Sequence, residues 1–255
     1  MSISKIQYVS DLHLEFPKNS AYMKANPLLP KGDILLLAGD IVPFAILNKH
    51  QDFFSYLADT FEFTYWIPGN HEYYYFDIAD KSGVLWEEIR SNVILLNNTA
   101  VQMQDIKLIF STLWSKINPA NQWYLENNHS DFHVIKYKSK TFRTEIYNQL
   151  HAESLHFIQQ ELQTQNQGKT VVVTHHVPTY LNYPEIYKGS KLNEGFAVEL
   201  FDTIAASNVD YWIYGHSHFN TADFTLGNTK MLTNQLGYVH QNENLLFNPN
   251  ATIIF

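Results

Sequence analysis

The sequence predicts an α/β (α+β) protein, built on a mixed β-sheet or a two-sheet β-sandwich core flanked by helices. Short β-type runs recur along the 255-residue chain, and helix-period segments separate several of them. Each run ends in polar residues or glycine, which indicates that the chain turns there. Residues 221–255 differ, because they read as short strands joined by turns at Gly227-Asn228 and Asn248-Pro249.

The individual elements follow from the same patterns. Apolar and β-branched runs predict strands at 5–10, 33–38, 62–67, 93–96, 107–111, 170–174 and 210–214. Helical periodicity predicts helices at 49–61, 82–91, 143–165 and 196–207. The alternation of strand, loop and helix indicates βαβ units, which place parallel strands beside each other.

The chain is predicted to form one domain, 1–255, because no repeat, low-complexity tract or linker divides it. The least regular stretch lies at about 115–140 and is rich in Asn, His, Lys and aromatic residues. Irregular segments of that length in compact domains tend to be functional. We therefore expect a substrate-facing insertion there.

Charge and composition exclude several classes of function. The 17 Lys and Arg residues against 25 Asp and Glu give a net charge of −8, which disfavours nucleic acid as a partner. The absence of cysteine excludes disulfides, thiolate catalysis and cysteine zinc sites. The N-terminal sequence lacks a basic region followed by a long apolar one, and no apolar run approaches the length of a membrane span. We expect a cytoplasmic protein with no membrane partner.

Five polar motifs stand at the ends of predicted strands. They are Asp11-Leu12-His13, Gly39-Asp40, Gly69-Asn70-His71-Glu72, Thr174-His175-His176 and Gly215-His216-Ser217-His218. Alternate side chains of an extended segment share a face, so Asp11 with His13, and His216 with His218, can point into one cavity. Ligands in open α/β sheets bind beyond the carboxyl ends of the strands. All five motifs are therefore expected to meet in one crevice.

The number of donor side chains predicts two metal ions rather than one. The donors are Asp11, His13, Asp40, Asn70, His175, His216 and His218, more than one ion of ordinary coordination number needs. A carboxylate can bridge two ions roughly 3.5–4 Å apart, and Asp40 is the candidate bridge. Imidazole suits Zn and Fe, whereas carboxylate and amide ligands also accept Mn, so the expected cofactors are two divalent ions of Mn, Fe or Zn.

The motifs, in this order, resemble those of the calcineurin-like metallophosphoesterase superfamily. DLH, GD, GNHE, THH and GHSH match its signature of DxH, GDxx(D), GNH(D/E), a separate H and GHxH. A narrower bacterial group of phosphohydrolases is similar over nearly the whole chain, through LAGDI, TLW, TVVVTHHVPT and a late NxxGY. The chain departs from these patterns at Leu236, where that group commonly has a basic residue, and after Asp40, where no second Asp follows.

The resemblance implies a four-layer fold and a role for each donor. Asp11, His13, Asp40 and His218 match the ligands of a first metal, and Asp40, Asn70, His175 and His216 match those of a second. His71 matches the histidine beside the phosphate, which acts as general acid or as electrostatic partner of the leaving oxygen, and Glu72 is expected to orient it. The implied enzyme is a metal-dependent phosphoric ester hydrolase with Asp40 and His71 as catalytic residues. A metal-bridging hydroxide would attack a phosphomonoester, phosphodiester or pyrophosphate.

Some assignments stay open on the sequence. The expected partner is a small phosphorylated substrate, for which Asn70, His71, His176 and Asn234 are candidate contacts. His176 lies on the opposite strand face from His175, so it is either a substrate contact or a packing residue. Asn234 either reaches the site or only forms the turn at Gly237. The alternative functions are a non-catalytic scaffold or binding protein with the same fold, and a nuclease.

Overall fold

Two six-stranded β-sheets form the centre of the protein, whose computed structural model describes residues 5–255. The strands are, in chain order, β1 (Lys5–Val9), β2 (Ile34–Ala38), β3 (Phe63–Ile67), β4 (Leu85–Arg90), β5 (Val93–Asn97), β6 (Thr99–Met103), β7 (Ile106–Ser111), β8 (Lys136–Tyr137), β9 (Lys140–Thr141), β10 (Lys169–Thr174), β11 (Tyr211–Tyr214), β12 (Phe224–Leu226), β13 (Thr229–Thr233) and β14 (Thr252–Ile254). The first sheet has the order β14-β1-β2-β3-β5-β4 and the second β12-β13-β11-β10-β7-β6, while β8 and β9 form a separate hairpin.

Both sheets are parallel in the middle and antiparallel at their edges. In the first sheet β1, β2, β3 and β5 run parallel, and β14 and β4 are antiparallel to their neighbours. In the second sheet β13, β11, β10 and β7 run parallel, and β12 and β6 are antiparallel. The parallel strands therefore bring their carboxyl ends to one edge of each sheet, where loops can build a site.

Helices cover the outer faces of the two sheets. They are α1 (Pro17–Ala25), α2 (Gln51–Thr60), α3 (Gln122–Asn128), α4 (Asp131–Val134), α5 (Thr144–Gln163) and α6 (Phe201–Ala205). Phe54 and Leu57 of α2 pack on the first sheet, whereas Ile158 of α5 and Ile204 of α6 pack on the second. The four layers and the mixed two-sheet sandwich confirm the predicted fold class.

The core lies between the sheets because strand residues alternate between two faces. Ile6, Leu36 and Ile67 of the first sheet meet Leu108 and Val173 of the second in one buried cluster. The intervening residues point outward to the helices, as Leu35 and Leu37 do in the first sheet. The central strands are thus buried on both faces, which is why they read as continuous apolar runs.

The strand predictions and two of the helix predictions are confirmed, with ends shifted by a residue or two. The helix predicted at 82–91 is wrong, because Leu85–Arg90 is an edge strand paired with β5 from Leu85↔Asn97 to Arg90↔Val93. At the edge of the sheet, alternate residues such as Trp86 and Glu88 are exposed. A shift in the pairing register between Glu88 and Arg90 interrupts this alternation, so the sequence does not show the two-residue period of a strand. The helix predicted at 196–207 is too long, since only α6 is helical there.

The stretch at 115–140 is ordered into α3, α4 and β8 rather than being an irregular loop. Its Phe132 packs against Phe142 and Tyr147 in the cluster that covers the first sheet. None of the helices in residues 5–255 combines the length and the apolar character that crossing a bilayer would need.

Candidate metal centre

The five sequence motifs meet at the carboxyl ends of the parallel strands. Asp11 and His13 follow β1, Asp40 follows β2, and Asn70 follows β3, while His175 follows β10 and His216 and His218 follow β11. The two sheets are joined there by a hydrogen bond of 2.9 Å between His175 Nδ1 and the carbonyl of Ala38. The predicted donors therefore lie in one site between the ends of the sheets.

One group of donors contains Asp11, His13, Asp40 and His218, whose ligand atoms all lie within 4.8 Å of one another. His13 Nε2 is 2.8 Å from His218 Nε2 and 3.7 Å from Asp40 Oδ2. His218 Nε2 is in turn 3.4 Å from Asp11 Oδ1. This group has the composition expected for the first metal.

A second group contains Asp40, His175 and His216. His175 Nε2 lies 3.3 Å from Asp40 Oδ2, 3.0 Å from His216 Nδ1 and 3.3 Å from Asn70 Oδ1. The two groups share Asp40, whose carboxylate is 1% exposed. The geometry thus places the predicted bridging residue between both sets of donors.

The chemistry of these donors fits two cations. Imidazole nitrogens face each other in both groups, and carboxylates surround them. Burial opposes protonation of His175 and His218, yet Asp40 raises the pKa of His175 to about 9, and Asp11 with Glu243 raises that of His218 to about 10. The carboxylates therefore favour positive charge at His175 and His218, whereas burial and neighbouring histidines lower the pKa of His13 and His216.

The backbone of the ligand loops is strained. Left-handed φ angles occur at Asp11, His13, Asp40, His216 and His218, where non-glycine residues are uncommon. Gly69 allows the loops to approach, because a Cβ there would overlap Asp40 Oδ1 and lie 2.6 Å from His175 Nε2. This strain falls on the predicted ligands themselves, as is common at functional sites.

Glu72 holds the Asp40 loop rather than His71. Its fully buried carboxylate accepts hydrogen bonds from the backbone N–H of Asp40 (2.9 Å), Ile41 (2.6 Å) and Gly69 (2.6 Å), and from the indole of Trp66 (3.2 Å). The expectation that Glu72 orients His71 is therefore wrong. Glu72 faces away from His71 because the two residues are consecutive in the 3-10 turn His71–Tyr73, where neighbouring side chains point to different sides.

Glu15 is the residue that orients His71. Its Oε1 accepts hydrogen bonds from His71 Nδ1 at 2.9 Å and from His13 Nδ1 at 3.1 Å, which directs both Nε2 atoms away from it. Burial opposes its ionisation, but these two bonds lower the pKa of Glu15 to about 2. Burial also opposes protonation of His71, but Asp40 and Glu15 raise the pKa of His71. The signal that could have found Glu15 is the spacing Asp11, His13, Glu15 along one extended segment.

Asp131 of the 115–140 stretch is a further residue that the sequence did not reveal. Its buried Oδ1 accepts hydrogen bonds from Asn70 Nδ2 at 2.8 Å and from the Tyr74 hydroxyl at 3.1 Å. Because the Asn70 amide nitrogen is held there, its oxygen faces His175 and the second donor group. Asp131 thus positions a predicted metal ligand from a segment 61 residues away.

Substitution of Asp131 by alanine is expected to weaken binding of one of two ions by roughly ten- to a hundredfold, the usual effect of losing a partner of a metal ligand. Metal titration monitored by calorimetry measures this loss, with thermal unfolding as a check on folding. Asp131→Asn keeps an acceptor oxygen for Asn70 and is expected to restore the affinity. Equal loss in both variants would contradict a positioning role.

Two of the candidate substrate contacts are not among the residues that line the cavity at the donors. His176 is fully buried, hydrogen-bonds to the Thr112 carbonyl through Nδ1 at 3.2 Å, and packs against the rings of Trp114 and His216. Asn234 uses both ends of its amide, donating to the carbonyls of Tyr8 and Asn248 and accepting from Asn248 N–H. His176 therefore packs in the interior and Asn234 pins the C-terminal turn, so the structure does not support either residue as a substrate contact.

A cavity of about 350 Å³ opens onto the metal donors. Asp40, Asn70, His71, His216 and His218 form part of its lining. Tyr74 stacks on His71 with ring centres 3.9 Å apart, and the Tyr238 hydroxyl lies 3.3 Å from His71 Nε2. Asn128, His129 and Ser130 from the 115–140 stretch also line the cavity. A molecule in this cavity would lie against both His71 and the donor groups.

Comparison with known proteins places this geometry in a family. The calcineurin-like phosphoesterase family profile matches residues 4–220. "Uncharacterized protein L509" of Acanthamoeba polyphaga mimivirus is 33% identical over 278 aligned positions, which cover 97% of this chain and 95% of that protein. Among solved structures, phosphopantetheinyl hydrolase (PptH) from Mycobacterium tuberculosis is 14% identical and has a TM-score of 0.71, with 96% of this chain and 93% of that chain covered.

A dimetal phosphatase from Danio rerio is also similar in fold, with 11% identity, a TM-score of 0.50 and coverage of 92% of this chain and 88% of that one. The family match includes all five motifs that supply the donors. On the family profile and the viral relative, the chain belongs to the calcineurin-like phosphoesterase family.

Proposed function

We propose that the protein is a dinuclear metal-dependent phosphoesterase that hydrolyses a phosphomonoester, phosphodiester or pyrophosphate bond of a small substrate. The observation that carries the proposal is the pair of donor groups that share Asp40 at the base of a cavity. Asp11, His13 and His218 would hold one divalent ion with Asp40, and Asn70, His175 and His216 the other. Two such ions would supply Lewis acidity toward phosphoryl oxygens and would lower the pKa of a bound water.

The chain's own residues complete the chemistry. His71 lies on the cavity wall with Nδ1 held by Glu15, so its Nε2 faces the space where a leaving oxygen would lie. Burial opposes protonation of His71, but Asp40 and Glu15 raise its pKa, which favours the protonated ring, and Nε2 is the atom that can then donate a proton. The Tyr238 hydroxyl is within 3.3 Å of the same nitrogen and gives it a partner before substrate binds.

The alternative functions receive less support. A scaffold has no need of a complete donor set, and every donor type is present here with the strained backbone that positions it. A nuclease would have to attract a polyanion to a chain of net charge −8. An enzyme acting on a small phosphate ester agrees with both observations.

Metal analysis together with turnover tests the proposal. Protein purified without chelator is expected to contain about two divalent ions per chain. It is expected to hydrolyse an aryl phosphomonoester or a bis-aryl phosphodiester, and to lose activity with chelator and regain it with Mn. Chelation is also expected to lower the unfolding temperature, because ligand binding stabilises the folded state. A chain that stays metal-free and inactive after loading with Mn, Fe or Zn would indicate the scaffold instead.

A further inference from the structure

The cavity beside the metal donors has walls of a distinct character. Its volume of about 350 Å³ is in the range of small-molecule sites. One part of its lining comes from the 183–196 segment, through Tyr183, Tyr187 and Phe196, and this segment borders the donors, because the Phe196 ring lies 4.8 Å from that of His216. Each of these side chains is half-buried, so part of each ring is left to face a bound molecule. With Tyr74 and Tyr238 they form an aromatic lining around the space next to His71.

The same walls carry no fixed positive side chain. Within the part of the chain that the structure describes, neither lysine nor arginine lines the cavity. The two lysines nearest in sequence are engaged elsewhere, because Lys188 pairs with Glu185 and Lys191 lies over the ring of Tyr124. Glu243 adds a carboxylate to the wall. The positive charge available to a substrate phosphate is therefore limited to the metal centre and His71. A second phosphate in the cavity would have no lysine or arginine to pair with.

Polar groups on the wall can pair with the edge of a ring. Asn128 and Asn193 donate their amide N–H groups to the carbonyls of Tyr124 and Tyr187, at 2.8 and 2.7 Å. Each amide keeps its oxygen as a hydrogen-bond acceptor, and both residues line the cavity. Flat neutral rings with N–H groups on the edge, as in nucleobases, suit aromatic walls with acceptors between them.

We infer that this cavity binds the nucleoside part of a substrate that carries a single phosphate, with the base between the aromatic side chains of the 183–196 segment and Tyr74. The inference rests on the proposed function, since it requires the phosphate to lie at the metal donors. It narrows the substrate class to nucleoside monophosphate esters and disfavours polyphosphates.

Binding of three ligands to the Mn-loaded chain tests the inference. Adenosine 5′-monophosphate and ribose 5-phosphate share the same phosphate and the same 5′ oxygen, so calorimetric dissociation constants isolate the base. We expect adenosine 5′-monophosphate to bind roughly ten- to a hundredfold more tightly, the usual effect of stacking one base on aromatic side chains. Adenosine diphosphate, at constant free Mn, is expected to bind no more tightly than the monophosphate. If either monophosphate is hydrolysed, the ratio of kcat/KM for the pair replaces the ratio of dissociation constants.

Variants of the wall give the second measurement. Tyr183→Ala is expected to remove most of the preference for adenosine 5′-monophosphate while leaving binding of ribose 5-phosphate and the metal content unchanged, and Tyr183→Phe is expected to retain it. Tyr211→Ala, at a half-buried tyrosine that packs against Phe255, is the control and is expected to keep the preference.

The outcomes separate this inference from the proposed function. Equal binding of the two monophosphates, or tighter binding of the diphosphate, would overturn the inference while hydrolysis of aryl esters still supported the function. Absence of aryl ester hydrolysis by the metal-loaded chain would overturn the function. A base preference that survives Tyr183→Ala would place the base elsewhere and would also overturn the inference.

Discussion

Replacement of Asp40 by asparagine is expected to abolish retention of both metal ions and to lower turnover by roughly a thousandfold or more. Asp40 is the donor common to both groups, so the substitution removes a charged ligand from each ion at once. Loss of several kcal/mol of transition-state stabilisation by the metals corresponds to a rate effect of that size. Asparagine keeps the shape of the side chain and an oxygen that can accept the 2.9 Å hydrogen bond from His71 N–H. The fold should therefore survive.

Elemental analysis and steady-state kinetics on the purified variant measure the two effects. Asp59→Asn, at an exposed position near the end of α2, is the matched control and is expected to keep two ions and full activity. A variant at Asp40 that retains both ions and wild-type turnover would refute the bridging role. Thermal unfolding of both variants without metal distinguishes a lost ligand from a lost fold.

Replacement of Glu72 by glutamine is expected to lower the free energy of unfolding by about 3 kcal/mol or more. Each oxygen of the Glu72 carboxylate accepts from at least two N–H groups in a fully buried setting. A glutamine amide places its NH2 group where one carboxylate oxygen now accepts hydrogen bonds. At least two buried N–H donors therefore lose their acceptor. The Asp40 and Gly69 loops lose their common anchor, and metal affinity is expected to fall with stability.

Urea unfolding measures the change, and a decrease of roughly 5–10 °C in the midpoint of thermal unfolding is expected for a chain of this size. Glu62→Gln, at an exposed position before β3, makes the same chemical change and is expected to have little effect. Equal stability of the Glu72 and Glu62 variants would show that the buried carboxylate does not hold the loops.

The donors could be predicted from the sequence because each one follows a strand in a short motif. The apolar runs that precede Asp11, Asp40 and His175 are buried strands, and the carboxyl ends of parallel strands meet at one edge. Strand ends and donor types are local properties, which a single chain shows directly. The helix predicted at 82–91 failed for the opposite reason, since an edge strand is fixed by its pairing with β5 and not by its own period.

The sequence by itself thus determined the class of fold, the seven donors and Asp40 as their common member. The tertiary structure alone decided which residues support them. Glu15 rather than Glu72 holds His71, Asp131 holds Asn70 from 61 positions away, and Asn234 serves a turn. The tertiary structure also decided that the 183–196 segment lines the cavity. The physical reason is that a motif fixes what a side chain is, whereas its hydrogen-bond partners depend on which distant segments the packed sheets bring within about 3 Å of it.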